Sequence, residues 1–223
     1  MIVSIHQPNF LPWLGFFYKI IKSDLFIILD DVQYTKNSFI NRNKIKTPTG
    51  EQWITVPVHQ SGRFGQKINE CVIIERKRNI DKVILSIDLN YRKAKYYAQY
   101  GKIVKESFNI ASDNLAALNV NLIKFCCSVL EIETTIKRSS ELIGINGTST
   151  ERLISICQAV GAEEYLSGFG GKKYQDDELF TQAGVKLITT DFVHPVYTQL
   201  WKDFIPSLSV IDFILNCGPT CKD

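Results

Sequence analysis

The chain has 223 residues, 45% of them hydrophobic and 22% charged. That length buries a full core without disulfides or a structural metal, as one large domain or one domain with a subdomain. A net charge of +3 is too small to argue for nucleic acid, and no apolar run is long enough to span a bilayer.

In chain order, residues 1–6 read as a strand. Residues 12–22 read as a helix opened by Pro12, and 24–30 as a second strand. This βαβ opening favours a parallel pair. Residues 31–50 are polar and loop-like. Trp53 to Val58 alternates like a strand, and Cys71 to Ile74 reads as a short one. Residues 79–109 read as helical and rich in Lys, Arg and Tyr. Residues 113–130 place Leu115, Leu118, Leu122, Phe125 and Val129 on one helix face, with Ser112 and Asp113 as caps.

The last third alternates again. Thr134 to Lys137 reads as a strand. Thr148-Ser149-Thr150-Glu151 is a capping-box pattern, opening a helix that stops at Gly161. Tyr165-Leu166 is a short strand leading into Ser167-Gly168-Phe169-Gly170-Gly171-Lys172. Residues 175–183 read as helix, 185–190 as strand and 207–215 as a final helix. Together these elements predict a single α/β domain over 1–223: an open, mostly parallel Rossmann-like sheet, with a mostly helical insert at about 79–130 between its halves.

The chain begins without a basic n-region, and His6, Gln7 and Pro8 break its only candidate signal stretch, so we read it as cytoplasmic. Six cysteines fit reduced thiols there: Cys71, Cys126, Cys127, Cys157, Cys217 and Cys221. None forms C-x-x-C, so no zinc or thioredoxin motif is expected. Cys126, Cys127 and Cys157 fall in helix-like apolar patterns as packing residues.

Five polar groups follow expected strands: His6-Gln7, Asp30-Asp31-Gln33, Ser139-Ser140, Ser167 to Lys172 and Asp191 to His194. In a parallel sheet all strand carboxyl ends lie on one edge, where ligands bind. His6 is either a general base or a donor to a substrate oxygen, or else a histidine held by backbone at a turn before Pro8. Asp30 and Asp31 either bind a substrate amine, orient His6 or hold a metal, or form a turn and a helix cap. On an extended backbone only one of the two faces the site. The glycine-rich loop can present backbone N–H groups to an anion, yet matches neither the Walker pattern nor G-x-G-x-x-G. Lys36, Arg42, Lys44 and Lys46 form a basic patch that is either a phosphate or carboxylate site or a solvated loop. Trp13, Phe16 and Phe17 read as core before sugar platform. With His59 and His194, three widely spaced histidines make no metal motif. No nucleophile elbow is present, and Cys217 reads as a helix end.

At these residues the chain resembles the WbqC-like family. The matching pieces are His6-Gln7-Pro8 with Pro12-Trp13-Leu14-Gly15-Phe16-Phe17, Asp30-Asp31-Val32-Gln33, Asn41-Arg42-Asn43 and Thr55-Val56-Pro57-Val58. Later come Gly161-Ala162, Tyr165-Leu166-Ser167-Gly168, Tyr197-x-Gln199, Phe204 to Asp212, and Leu215-Asn216-Cys217-Gly218. The ordered set covers nearly the whole chain. One departure is Asn79 and Val83, where family members often carry a Trp and a His.

The resemblance implies a role in bacterial surface polysaccharide (O-antigen type) biosynthesis, as a transferase adding an aminoacyl or acyl group to a nucleotide-linked amino sugar. On that reading His6 is the base, and Asp30 or Asp31 binds or orients the amine. Arg42, Lys44 and the backbone of Gly168, Gly170 and Gly171 hold phosphates. Gln7, Trp13, Gln33, Asn41, Asn43, Ser167 and Tyr197 complete the binding set, and neither a cofactor nor a metal is expected. An acyl or aminoacyl carrier protein is the expected partner, drawn to Arg92, Lys93 and Lys95. Two alternatives stay open: a nucleotidyltransferase-like enzyme, and a non-catalytic ligand-binding or scaffold protein of glycan assembly.

Overall fold

A computed structural model describes residues 1–168, 170–171 and 175–219. Phe169 and Lys172 of the glycine-rich loop, and Cys221, lie outside the described residues. The chain divides into two compact units, one of residues 1–7, 16–31 and 132–193, the other of residues 8–15, 32–131 and 194–223.

The first unit is built on five strands: β1 (Ile2–His6), β2 (Leu25–Ile28), β5 (Thr135–Arg138), β6 (Glu164–Ser167) and β7 (Lys186–Thr189). Their order is β5-β2-β1-β6-β7, and every neighbouring pair is parallel. The α/β expectation therefore holds. Strand β2 is buried at all four positions, as a parallel strand covered on both faces must be, which is why its sequence is an unbroken Leu-Phe-Ile-Ile. Helix α1 (Leu14–Ile21) lays Phe16 edge-on against Phe26, ring centres 5.1 Å apart. Helices α5 (Ser149–Ala159) and α6 (Asp177–Gln182) supply Ile154, Ile156, Cys157 and Phe180 to a core with Val3, Ile5, Ile27 and Tyr165.

The chain runs outward from β1 through β2 to β5, then returns to the other side of β1 with β6 and β7. The reversal falls between β1 and β6, and such reversals are where open α/β sheets bind ligands. The ladders beside β1 differ in length. Strands β1 and β2 pair through four positions, from Val3 with Leu25 to His6 with Ile28, whereas β1 and β6 pair only at Ile2–Glu164 and Val3–Tyr165. Past that point the Ser4 hydroxyl donates to the Leu166 carbonyl at 3.1 Å in place of a ladder bond.

The second unit contains an antiparallel hairpin of β3 (Arg42–Thr47) and β4 (Gly50–Thr55), and helices α2 (Arg76–Tyr91), α3 (Tyr97–Glu106), α4 (Leu115–Val129) and α7 (Val210–Cys217). Several local expectations are corrected. Residues 31–50 hold strand β3, whose apolar alternation is hidden because Asn43 and Lys46 are themselves buried. The strand expected over Trp53 to Val58 is β4, shifted toward Gly50, and Val72 and Ile73 make single bridges instead of a strand. The helical stretch over 79–109 breaks into α2 and α3. Asn114 caps α4, its side chain accepting from the Ala117 N–H at 2.9 Å, while the Ser112 hydroxyl supports the Asn114 N–H. The Thr148 side chain makes no capping bond, although α5 does stop before Gly161, at φ +69°. The helices of 79–130 lie in the second unit together with the hairpin and α7.

Candidate functional site

The five strands of the first unit end at Arg138, Ile28, His6, Ser167 and Thr189. Because the sheet is wholly parallel, the segments after them share one edge: Ser139-Ser140, Leu29-Asp30-Asp31, Gln7, Gly168 and Thr190-Asp191.

His6 ends β1 beside the reversal. Its Nδ1 lies 2.9 Å from the Gln7 carbonyl oxygen. A carbonyl only accepts, so Nδ1 carries the proton and the neutral ring keeps its lone pair on Nε2. No described residue hydrogen-bonds to Nε2. The ring is half-buried and edge-on to Phe16 at 5.0 Å. Burial, and then the charge of Lys19, push its pKa down to about 4, so the ring is neutral at physiological pH. His194, in the second unit, is a useful contrast. Its Nδ1 meets the Pro195 carbonyl at 2.8 Å, but its Nε2 accepts from the Ser207 N–H at 3.0 Å, which leaves no free lone pair on the ring. His59 is exposed.

The residue that sequence reasoning missed is Lys19 of α1. It is 5% exposed, and its ammonium donates to the Ile5 carbonyl at 3.2 Å. No carboxylate among the described residues pairs with it. Burial pushes its pKa down to about 8. Its Cδ lies 3.7 Å from where a side chain on Gly168 would begin, so Lys19 spans from the end of β1 toward the end of β6. The signal was available: Lys19 is the lone charge in Leu14-Gly-Phe-Phe-Tyr-Lys-Ile-Ile, three residues after the buried Phe16.

Asp30 and Asp31 sit on the same edge with their oxygens engaged. The fully buried Asp30 carboxylate accepts from Arg138 Nε at 2.6 Å, from the Ser140 N–H at 3.1 Å and from the Ser140 hydroxyl at 3.0 Å. Asp31 pairs with Arg152 and accepts from the Ser139 hydroxyl at 2.5 Å. Both carboxylates reach toward Ser139, because the chain bends at Asp31. Ser167 is buried and donates to Gln175 Oε1 at 2.7 Å. Gly171 turns back on Gly168, its N–H donating to the Gly168 carbonyl at 2.9 Å. A Cβ on Gly171 would stand 2.2 Å from Ser167 Oγ, so this close approach requires glycine. Gly170 is exposed, and the half-buried Gln7 side chain makes no hydrogen bond to a described residue.

The remaining candidates belong to the second unit. Trp13 lies across Gly15 and stacks with His194 at 6.4 Å. Gln33 is exposed. Asn41 and Asn43 are buried and tie backbone together. The Asn41 amide donates to the Val56 carbonyl at 3.0 Å, and that of Asn43 to the Leu11 carbonyl at 2.7 Å and the Phe10 carbonyl at 3.2 Å. Arg42 lies 4.2 Å over the Trp53 ring and donates to the Asn37 carbonyl, while Lys44 pairs with Glu51. Lys46 is not at the surface. Its ammonium is satisfied by Gln199 and the carbonyls of Lys202 and Asp203. Tyr197 belongs to the same buried network. Tyr91, Tyr197 and Gln199 each donate to the Asp212 carboxylate at 2.8 Å, and burial raises the pKa of Asp212. Tyr197 also lines a cleft of about 700 Å³ with Lys93, Lys95 and Asn216. At the family departure, Asn79 donates to the Ile74 carbonyl at 2.7 Å and Val83 is buried.

The buried thiols behave as packing groups. Burial pushes Cys127 and Cys157 up to about 12. Among the described residues no helix is long and apolar enough to cross a membrane, and no group of three His, Cys, Asp or Glu is arranged to hold a metal ion.

Residues 7–223 match the model of the WbqC-like protein family. The chain is 37% identical over 223 residues to the "Uncharacterized protein Rv1507c" of Mycobacterium tuberculosis, across 99% of this chain and 96% of that protein. No solved structure matches the chain significantly.

Proposed function

From the premise that the chain belongs to the WbqC-like family, we propose that it is a transferase of bacterial surface polysaccharide biosynthesis, adding an acyl or aminoacyl group to the amine of a nucleotide-linked amino sugar. The observation that carries this reading is the His6 Nε2, without a partner among the described residues, at the reversal of the parallel sheet, with Nδ1–H fixed on the Gln7 carbonyl.

Amide formation uses a neutral amine. A histidine held near pKa 4 is too weak a base to strip an ammonium ion. It can accept an N–H hydrogen bond from a neutral amine and so aim the nitrogen lone pair at the acyl carbon. As the carbon–nitrogen bond forms, the nitrogen becomes acidic and its proton passes to Nε2; the carbon–sulfur bond of a thioester donor then breaks, and Nε2 returns the proton to the departing thiolate. Asp30 and Asp31, through Arg138, Arg152 and Ser139, hold the neighbouring strand ends in place. A carrier-bound thioester as donor would need no protein nucleophile.

The test is thermal unfolding with a nucleotide-linked amino sugar, the matching sugar without the amine, and ATP with magnesium, followed by mass analysis of the amino sugar incubated with a thioester donor. Ligand at a hundred times its dissociation constant adds about 2.7 kcal/mol. Selective stabilisation by the amino sugar, and a mass gain lost in His6→Gln, support the reading. Stabilisation by ATP with magnesium alone replaces it with nucleotidyl transfer.

A further inference from the structure

An ammonium buried without a counter-ion is expensive to maintain, because removing the charge from water costs several kcal/mol and nothing returns it. Among the described residues, Lys19 is such a group: it is 5% exposed and no carboxylate pairs with it. Among the described residues it makes one hydrogen bond, to the Ile5 carbonyl, and an ammonium has three donors, so two are left without a partner there. A brace for one carbonyl needs no charge. The adjacent Ser4 hydroxyl shows the cheaper solution, since it satisfies the Leu166 carbonyl at 3.1 Å and in turn accepts from Ser23 at 2.7 Å.

The position of this charge is as informative as its isolation. The β1–β6 ladder stops after Val3–Tyr165, so the two strands go on to their carboxyl ends without backbone pairing. Lys19 reaches from Ile5 on one side toward Gly168 on the other. Gly168 presents no side chain there, and among the described residues, its chain neighbours aside, only Lys19 Cδ comes within 4 Å of the place a Cβ would take. His6, the last residue of β1, stands next to the same charge, and no described residue bonds to its Nε2.

We propose that the unpaired ends of β1 and β6 form an anion site, in which the Lys19 ammonium receives a phosphate or carboxylate oxygen beside the His6 imidazole and over the bare face of Gly168. A bound anion supplies a counter-charge and takes the two remaining donors. The inference deepens the transferase reading by giving its ligand an anionic group at this point, but it stands on Lys19 and the split ladder, and holds whether or not acyl transfer occurs.

The test uses full-length protein labelled with ¹³C at the lysine ε-carbon, titrated with pyrophosphate in one arm and acetate in the other. The Lys19 resonance is assigned by its loss in Lys19→Met. Binding in each arm is measured by calorimetry for the wild type, Lys19→Met and the surface control Lys102→Met. The expected result is a shift of the Lys19 resonance with one of the two anions, affinity at least tenfold weaker in Lys19→Met, and unchanged affinity in Lys102→Met. Which anion acts identifies the group as phosphate or carboxylate. A Lys19 resonance indifferent to both anions, or a folded Lys19→Met that binds them as the wild type does, overturns the site. Anion binding without any response to the amino sugar keeps this site and rejects the transferase reading.

Discussion

The Asp30 carboxylate joins the carboxyl ends of β2 and β5 by accepting from Arg138 Nε at 2.6 Å, and it does so while fully buried. Arg138 is the last residue of β5, and Asp30 lies two residues after β2. The pair therefore locks the outer half of the edge on which His6 stands. Asp30→Asn leaves the guanidinium facing a neutral amide. It is expected to lower stability by about 3 kcal/mol, less than for a fully enclosed pair because Arg138 is 31% exposed. Urea unfolding measures the loss, and a change under 1 kcal/mol would show that the pair does not hold the edge.

His6 makes stability depend on pH in acid. Its folded pKa of about 4 lies below the ordinary histidine value of 6.5. Its contribution is thus complete above pH 6.5 and is lost as the pH falls toward 4, because over that range the unfolded chain takes up a proton that the fold does not. Because the ring is half-buried, the loss is at most about 2 kcal/mol. Denaturant midpoints between pH 7 and pH 4 should flatten in His6→Gln relative to the wild type. Parallel profiles would assign the acid sensitivity elsewhere.

Lys19 acts at the alkaline end. Its folded pKa of about 8 lies below the ordinary lysine value of 10.5, so the unfolded chain binds the extra proton between those values. Stability therefore rises as the pH goes from 8 toward 10.5. Lys19→Met removes the buried charge, and should stabilise the ligand-free protein by about 1–2 kcal/mol at pH 7 while abolishing that alkaline gain. A destabilised Lys19→Met would make the lysine a structural brace.

Asp212 collects three hydrogen bonds on two oxygens, from Tyr91, Tyr197 and Gln199. Asp212→Asn turns one oxygen into an NH2 that faces a donor, an expected loss of about 2–4 kcal/mol. The acid's folded pKa is raised by burial, so its charge opposes folding as the pH rises above 3.8, and that slope disappears in the variant. Chemical unfolding at several pH values reads both effects. A variant as stable as the wild type would mean that the network is not under constraint.

Gly171→Ala puts a methyl group 2.2 Å from Ser167 Oγ and 2.8 Å from Gln175 Nε2. It should cost about 1–3 kcal/mol and break the Ser167–Gln175 bond. Gly170→Ala, which meets no described atom within 4 Å beyond its chain neighbours, is the control and should be near neutral. Equal effects of the two would mean that the fold-back is not tightly packed.

The sequence by itself determined the parallel sheet and the polar edge, because both follow from local rules. Short apolar runs such as Leu25–Ile28 must be buried on both faces, and the polar residues ending each run must then share one side. It also marked His6 as the residue to watch. It could not show strand β3, since the burial of Asn43 and Lys46 rests on Phe10, Leu11 and Gln199, which are distant in the chain. Nor could it show that Asp30 and Asp31 already hold arginines more than a hundred residues away. Only the tertiary structure decided that the β1–β6 ladder stops early and that Lys19 is the buried charge beside its end. Register, and the lack of a counter-ion among the described residues, are relations between distant segments, so no periodicity or local propensity encodes them.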